Sequence, residues 1–74
     1  MEVDVQRFKE LREERALSFR ELAAEAGVSR NTIYRIENGQ SEVLPRTLRR
    51  LANALGVEPR EITVRKPLKQ EEKT

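Results

Sequence analysis

Few folds accommodate two short helices that end and begin within about three residues of each other, and residues 18–38 read that way. Ser18 and Glu21 have the spacing of a capping box, in which each side chain bonds the other's free backbone N–H. Leu22, Ala23 and Ala26 follow on one face, and Gly27 is placed to take the left-handed conformation that closes such a helix. Ser29 then caps a helix carrying Ile33 and Ile36, which ends at Asn38 and Gly39. Hydrophobic spacing is helical almost everywhere else. Val5, Phe8 and Leu11 predict a helix over 4–15, ahead of the loop Ala16-Leu17. A polar loop, 40–43, leads to Pro45, whose fixed φ suits a first helical position. From there Leu48, Leu51, Ala52 and Leu55 form the clearest apolar stripe of the chain, ended by Gly56, and residues 58–62 predict a short fifth helix. Residues 65–74 carry Leu68 as their one aliphatic and no periodicity, so a disordered charged tail is expected beyond a single domain, 1–64. The fold class is therefore all-α, a compact bundle of about five short helices.

Composition narrows the chemistry. The 74 residues include no cysteine and no histidine, which removes disulfides, thiolate metal sites, the commonest metal ligand and the commonest general base. No metal, no cofactor and no catalysis are expected. A small hydrolase would need another base, and the acids are scattered over helix surfaces with no nucleophile beside them. The longest uncharged stretch is the seven residues from Leu51 to Val57, far short of the ~20 apolar residues of a membrane span, and no signal peptide opens the chain. A soluble, cytoplasmic protein is expected, with no membrane association.

The second helix of the pair displays a particular surface. At about 100° per residue with Ile33 at zero, Ile36 lies near 300°, so the exposed direction is about 150°. Asn31, Tyr34, Arg35 and Asn38 fall at roughly 160°, 100°, 200° and 140°, and Arg30 sits in the first turn, where a side chain reaches past the helix end. That face contains no acid in a chain with 13 of them. Arg pairs bidentately with guanine and Asn with adenine, and Tyr packs or bonds, so the face is suited to base edges in a major groove. Exposed helix faces are ordinarily polar too, and the tight capped turn is what separates the two readings.

The stretches LREERALSFRELAAEAGVSRNTIYRIENG and TLRRLANALGV, with their Gly-Val-Ser, Ile-Glu-Asn-Gly and Leu-Ala-x-Ala-Leu-Gly-Val runs, resemble the phage-repressor and Cro-like helix-turn-helix family, of the xenobiotic-response-element (XRE) type. The resemblance spans more than half the chain and implies a lambda-repressor-like DNA-binding domain. Its helix-turn-helix would cover roughly 18–38, with a recognition helix at 30–38 in the major groove of operator DNA, commonly as a two-fold dimer. It places base contacts on Arg30, Asn31, Tyr34 and Arg35. It places phosphate contacts on Ser18, Phe19, Thr32, Asn38, Gln40 and Arg46. Phe19 departs from the pattern, because the family usually has Gln there, bonding a phosphate and bracing the recognition helix. Phe19 is left to pack against the first helix or the neighbouring loop, or to meet DNA by stacking or sugar contact.

The resemblance further implies a salt bridge between Arg12 and Glu37, both near the apolar edges of their helices, and removal of either partner would strand a partly buried charge. Arg49 and Arg50 fit a solvated face or a phosphate rail. Val57, Ile62 and Val64 either close the core or form the isologous patch of a homodimer. The functional expectation is a sequence-specific transcriptional regulator, a repressor bound as a dimer to a palindromic operator. The alternative is an antitoxin or other protein-interaction module, with a protein partner on the same fold. The net charge of +2 is unevenly spread: −2 over residues 1–29, +3 over 30–50, −1 over 51–64 and +2 over the tail. The positive excess falls where a phosphate backbone would run.

Overall fold

Side-chain caps decide where the helices begin. Asp4 accepts the N–H of Arg7 through its carboxylate (3.2 Å) and starts α1, Val5–Glu14. Ser18 starts α2, Phe19–Ala26, and Ser29 starts α3, Arg30–Glu37. Helix α4, Pro45–Leu55, has no side-chain cap and relies on Pro45 at its first position, where a missing N–H costs nothing. The computed structural model describes residues 1–64; the expected tail, 65–74, lies outside the described residues.

Gly27 (φ 72°) and Gly56 (φ 73°) end α2 and α4 in the left-handed conformation. Ala16 does the same after α1 at φ 54°, a conformation that strains a residue with a Cβ. The five expected elements are thus four α-helices and one 3₁₀ turn, Pro59–Ile62. That last element opens on a capping box, the Glu58 backbone N–H donating to the Glu61 carboxylate at 3.1 Å, makes its turn through Glu61 N–H to the Glu58 carbonyl at 2.9 Å, and ends because Thr63 is already extended.

Phe8, Leu22, Ile33, Ile36, Leu48, Leu51, Leu55 and Ile62 are fully buried, with Leu11, Ala23, Ala26 and Ala52 completing one core. Each large aliphatic so buried contributes about 1.5–3 kcal/mol. Helix α2 packs on α3 and α4, while α1 packs on α3 and on the 3₁₀ turn. Val5, expected on the core stripe, is only half-buried; its place is taken by Val3.

Val3 belongs to a feature that the helical reading left unassigned. Residues 1–4 run extended between the 41–43 loop and residues 62–64, through Val3 N–H to the Ser41 carbonyl, Asp4 N–H to Ile62, Val43 N–H to Met1 (all 2.8 Å) and Val64 N–H to Glu2 (2.9 Å). Two isolated antiparallel bridges, Glu2 with Glu42 and Val3 with Thr63, are the only β pairing among the described residues. This clasp closes the core beneath α1 and α4.

It also divides the three residues assigned jointly to core or dimer patch. Ile62 is completely buried and is core, so it is withdrawn from the patch as a surface residue. Val57 packs half-buried against the core, and Val64 remains exposed. No helix of the described residues is long and apolar enough to cross a membrane.

Candidate nucleic-acid interface

Helix α3 is held at both ends and along one face, which fixes what its other face presents. At its start Ser29 Oγ accepts the N–H of Thr32 (3.1 Å) and lies 3.0 Å from the Thr32 hydroxyl. Behind the turn, Arg50 of α4 donates to the Gly27 carbonyl at 3.4 Å, so at least one of the two uncertain arginines of α4 serves the turn itself. At its end the Asn38 side-chain amide donates to the Tyr34 carbonyl (2.8 Å) and closes the last turn. Ile33 and Ile36 fill the inward face, and Arg30, Asn31, Tyr34 and Arg35 are all exposed.

The one acid of α3 points the other way. Glu37 forms a two-pronged pair with Arg12 of α1, Nε to Oε2 at 2.6 Å and Nη2 to Oε1 at 3.1 Å, while Arg12 Nη1 donates to the Leu17 carbonyl at 2.8 Å. The side chains are 15% and 5% exposed, so water screens this pair little and its hydrogen bonds carry the desolvation of both charges. Those bonds to Glu37 hold the Arg12 guanidinium even more firmly protonated than usual, against the opposing pull of burial.

Phe19 meets both of its neighbouring helices. The Arg12 guanidinium carbon sits 4.8 Å from its ring centroid, and the Tyr34 ring stands edge-on to it, with centroids 6.4 Å apart and planes at 73°. Contact with α1 through Arg12 follows the packing expectation; the contact with Tyr34 on α3 was not visible in the sequence.

The candidate residues fall into two groups. Ser18, Phe19, Arg30, Asn31 and Tyr34 line one open groove between the N-terminal ends of α2 and α3, with Arg20, Glu21 and Ser29 at its edge. Thr32, Arg35 and Gln40 line a shallower hollow with Ile36, Glu42 and Val43. Asn38 and Arg46 line neither, although both are exposed. Arg20 and Ser29 are additions that sequence reasoning missed; adjacency to Phe19 and Arg30 was the only signal for them.

Glu21 brings an acid to the groove edge, but its carboxylate is committed to the Ser18 backbone N–H (2.9 Å), while Ser18 Oγ accepts the Glu21 N–H (3.1 Å). The Ser18 backbone N–H first, and the Ser18 side chain after it, hold the Glu21 carboxyl below the usual carboxylate range. Among the described residues no side-chain hydrogen bond or ion pair engages Arg30, Asn31, Arg35 or Arg46. No group of His, Cys, Asp or Glu among them is arranged to hold a metal ion.

Residues 8–62 match the family model described as helix-turn-helix. The chain belongs to the XRE-type helix-turn-helix family. It is similar in structure to the restriction-modification controller protein C.AhdI from Aeromonas hydrophila, at 40% identity and a TM-score of 0.72, over 77% of this chain and 86% of that one. It is similar also to SinR of Bacillus subtilis, the master regulator for biofilm formation, in complex with DNA, at 30% identity and a TM-score of 0.71, over 76% and 90% of the two chains. A third similar structure is the complex of SinR with SinI protein, at 33% identity and a TM-score of 0.69, over 76% of this chain and 55% of that one. No curated protein sequence matches significantly. As a member of this helix-turn-helix family the chain is a DNA-binding regulator of transcription.

Proposed function

We propose that the chain reads a specific duplex sequence by laying α3 in the major groove, binds as a homodimer to a palindromic operator, and represses by occupying it. The observation that carries this reading is the outward face of α3, where Arg30, Asn31, Tyr34 and Arg35 stand exposed while the helix's one acid, Glu37, is turned inward onto Arg12. The two arginines carry the fork that fits guanine, and Asn31 the amide that fits adenine. Phosphate contacts fall to Ser18, Thr32, Gln40 and Arg46, supported by Thr32 and Gln40 lying beside Arg35 and by the exposure of Ser18 and Arg46, with Asn38 contributing what its amide has left after closing α3. Dimer contacts fall to Val64 and the exposed side of Val57, giving half-sites about 34 Å apart on one face of the duplex.

Selection from a random duplex pool tests this directly. A palindromic consensus with half-sites about one helical turn apart is expected, and an unenriched pool would overturn the reading. In the selected site, Arg35→Ala costs about 1–3 kcal/mol and relaxes preference at one position, whereas Arg46→Ala weakens all sequences alike.

A protein partner is the second reading. It is favoured by the similarity to SinR as found in complex with SinI, and would add to DNA binding rather than replace it. A partner that copurifies in equal amount with the chain would establish it.

A further inference from the structure

In a B-form duplex the base faces are covered by their neighbours, so a side chain lying in the major groove meets base edges alone. Along those edges most groups are hydrogen-bond donors or acceptors; the largest apolar exception is the 5-methyl group of a pyrimidine. The groove between α2 and α3 presents that exception with a matching surface. Phe19 has no polar side-chain atom, and the Tyr34 ring stands against it edge-on, itself 55% exposed although it is a large aromatic. The two rings form an apolar corner, framed by the unpaired donors of Arg30 and Asn31.

The corner is also set in advance. The Arg12 guanidinium lies against the Phe19 ring, and Arg12 is in turn fixed by Glu37 and by the Leu17 carbonyl, so Phe19 gives up little freedom when a ligand arrives.

We infer that Phe19 and Tyr34 together seat the 5-methyl group of one pyrimidine in each half-site, which makes Phe19 a specificity-determining residue. This rests on α3 lying in the major groove. Glutamine at this position would offer an amide to a phosphate; phenylalanine offers only carbon and hydrogen, and what it gains at a base edge is the burial of one methyl group. Burial of one such group corresponds to about 0.8 kcal/mol, or about a fourfold change in affinity.

Methyl scanning of the selected duplex is the test, with the full chain and salt held fixed. Thymines are replaced singly by uracil, and cytosines singly by 5-methylcytosine. A loss of about fourfold on uracil replacement at one thymine per half-site assigns the methyl group to thymine, and a similar gain at one cytosine assigns it to 5-methylcytosine. Phe19→Gln abolishes the response and Phe19→Leu keeps most of it, with thermal melting to confirm that both are folded. A scan with no methyl response, or a response that survives in folded Phe19→Gln, overturns the inference. Where Phe19→Gln does not fold, Tyr34→Ala, at a position 55% exposed, should lose the response instead, and a response that survives there overturns the inference equally. A pool that is not enriched defeats the groove reading itself, whereas an enriched pool without methyl response leaves that reading standing and removes this one.

Discussion

The helix-turn-helix unit and the clasp beneath it are joined by opposite means. The first adds to its backbone turns a set of joints that each need a particular side chain: Ser18 with Glu21, Ser29 with Thr32, Arg12 with Glu37, Arg50 with the Gly27 carbonyl. The clasp rests mainly on backbone hydrogen bonds that any residue other than proline could supply, with Val3 and Ile62 adding the buried side chains and with the Met1 ammonium on Glu42 (2.8 Å) and the Ser41 hydroxyl on Glu2 (3.5 Å) as side-chain links at its edge. A side-chain joint has a direction, and these aim α3 so that its apolar face and its acid point inward. A backbone ladder fixes position but selects nothing. The two regions should therefore respond differently to substitution, in duplex binding as well as in stability.

The largest expected effect is on the directional side. Glu37→Ala leaves the mostly buried Arg12 guanidinium without its carboxylate and costs about 3 kcal/mol, read by chemical denaturation. Arg12→Ala should cost as much and also frees Phe19, so its duplex affinity falls further than its stability alone explains. Replacing both together, Arg12→Met with Glu37→Leu, should restore most of the stability, because no charge is then stranded. A double variant as unstable as the singles would show that the pair stabilises the fold rather than merely orienting α3.

Next comes the clasp. Val3→Ala removes two methyl groups from a site that is 1% exposed and should cost about 2 kcal/mol, yet duplex affinity measured below the melting range should be unchanged. A parallel loss of affinity would break the comparison, since it would mean that the clasp also aims the reading face.

The same contrast governs what can be read without the structure. Ser18, Gly27 and Ser29 announce α2 and α3 because capping chemistry is local and residue-specific. Gly56 and the leucine stripe do the same for α4. The clasp escapes because its pattern, Val3 and Val5 alternating with Glu2 and Asp4, is too short to stand out as period two, and its partners lie some forty to sixty residues away. Val5 then reads as the first residue of a helical stripe, which moves one core position to the wrong side chain. At the site, the wheel finds Arg30, Asn31, Tyr34 and Arg35 because exposure follows from the buried isoleucines. The Phe19–Tyr34 contact depends on how α2 crosses α3, and no local rule sets that angle.

Removing a single cap should do less. Ser18→Ala costs about 1 kcal/mol of stability in thermal melting, since the Glu21 N–H then lacks its acceptor. Because Ser18 also lines the groove beside Phe19, affinity at fixed temperature should fall modestly as α2 frays. An unchanged melting temperature would mean that the packing of Leu22 and Ala23 sets the start of α2 without help from its cap.

The smallest effect concerns the other half of that capping box and has a definite sign. The Glu21 carboxyl titrates below the usual carboxylate range because the Ser18 backbone N–H, and after it the Ser18 side chain, favour its charged form. A carboxyl depressed by folding contributes stability that is complete above its unfolded value, about 4.3, and that disappears as the pH falls through the lower folded value. Glu21→Gln keeps a hydrogen-bonding side chain at the same place without the charge. The melting temperature of the unsubstituted chain should therefore exceed that of Glu21→Gln at pH 7, and the gap should close at an acid pH below the folded value, where the protonated carboxyl and the amide are alike. A gap of the same size at both pH values would show that the shape of the side chain closes the box and that its charge, at the exposed start of α2, contributes nothing.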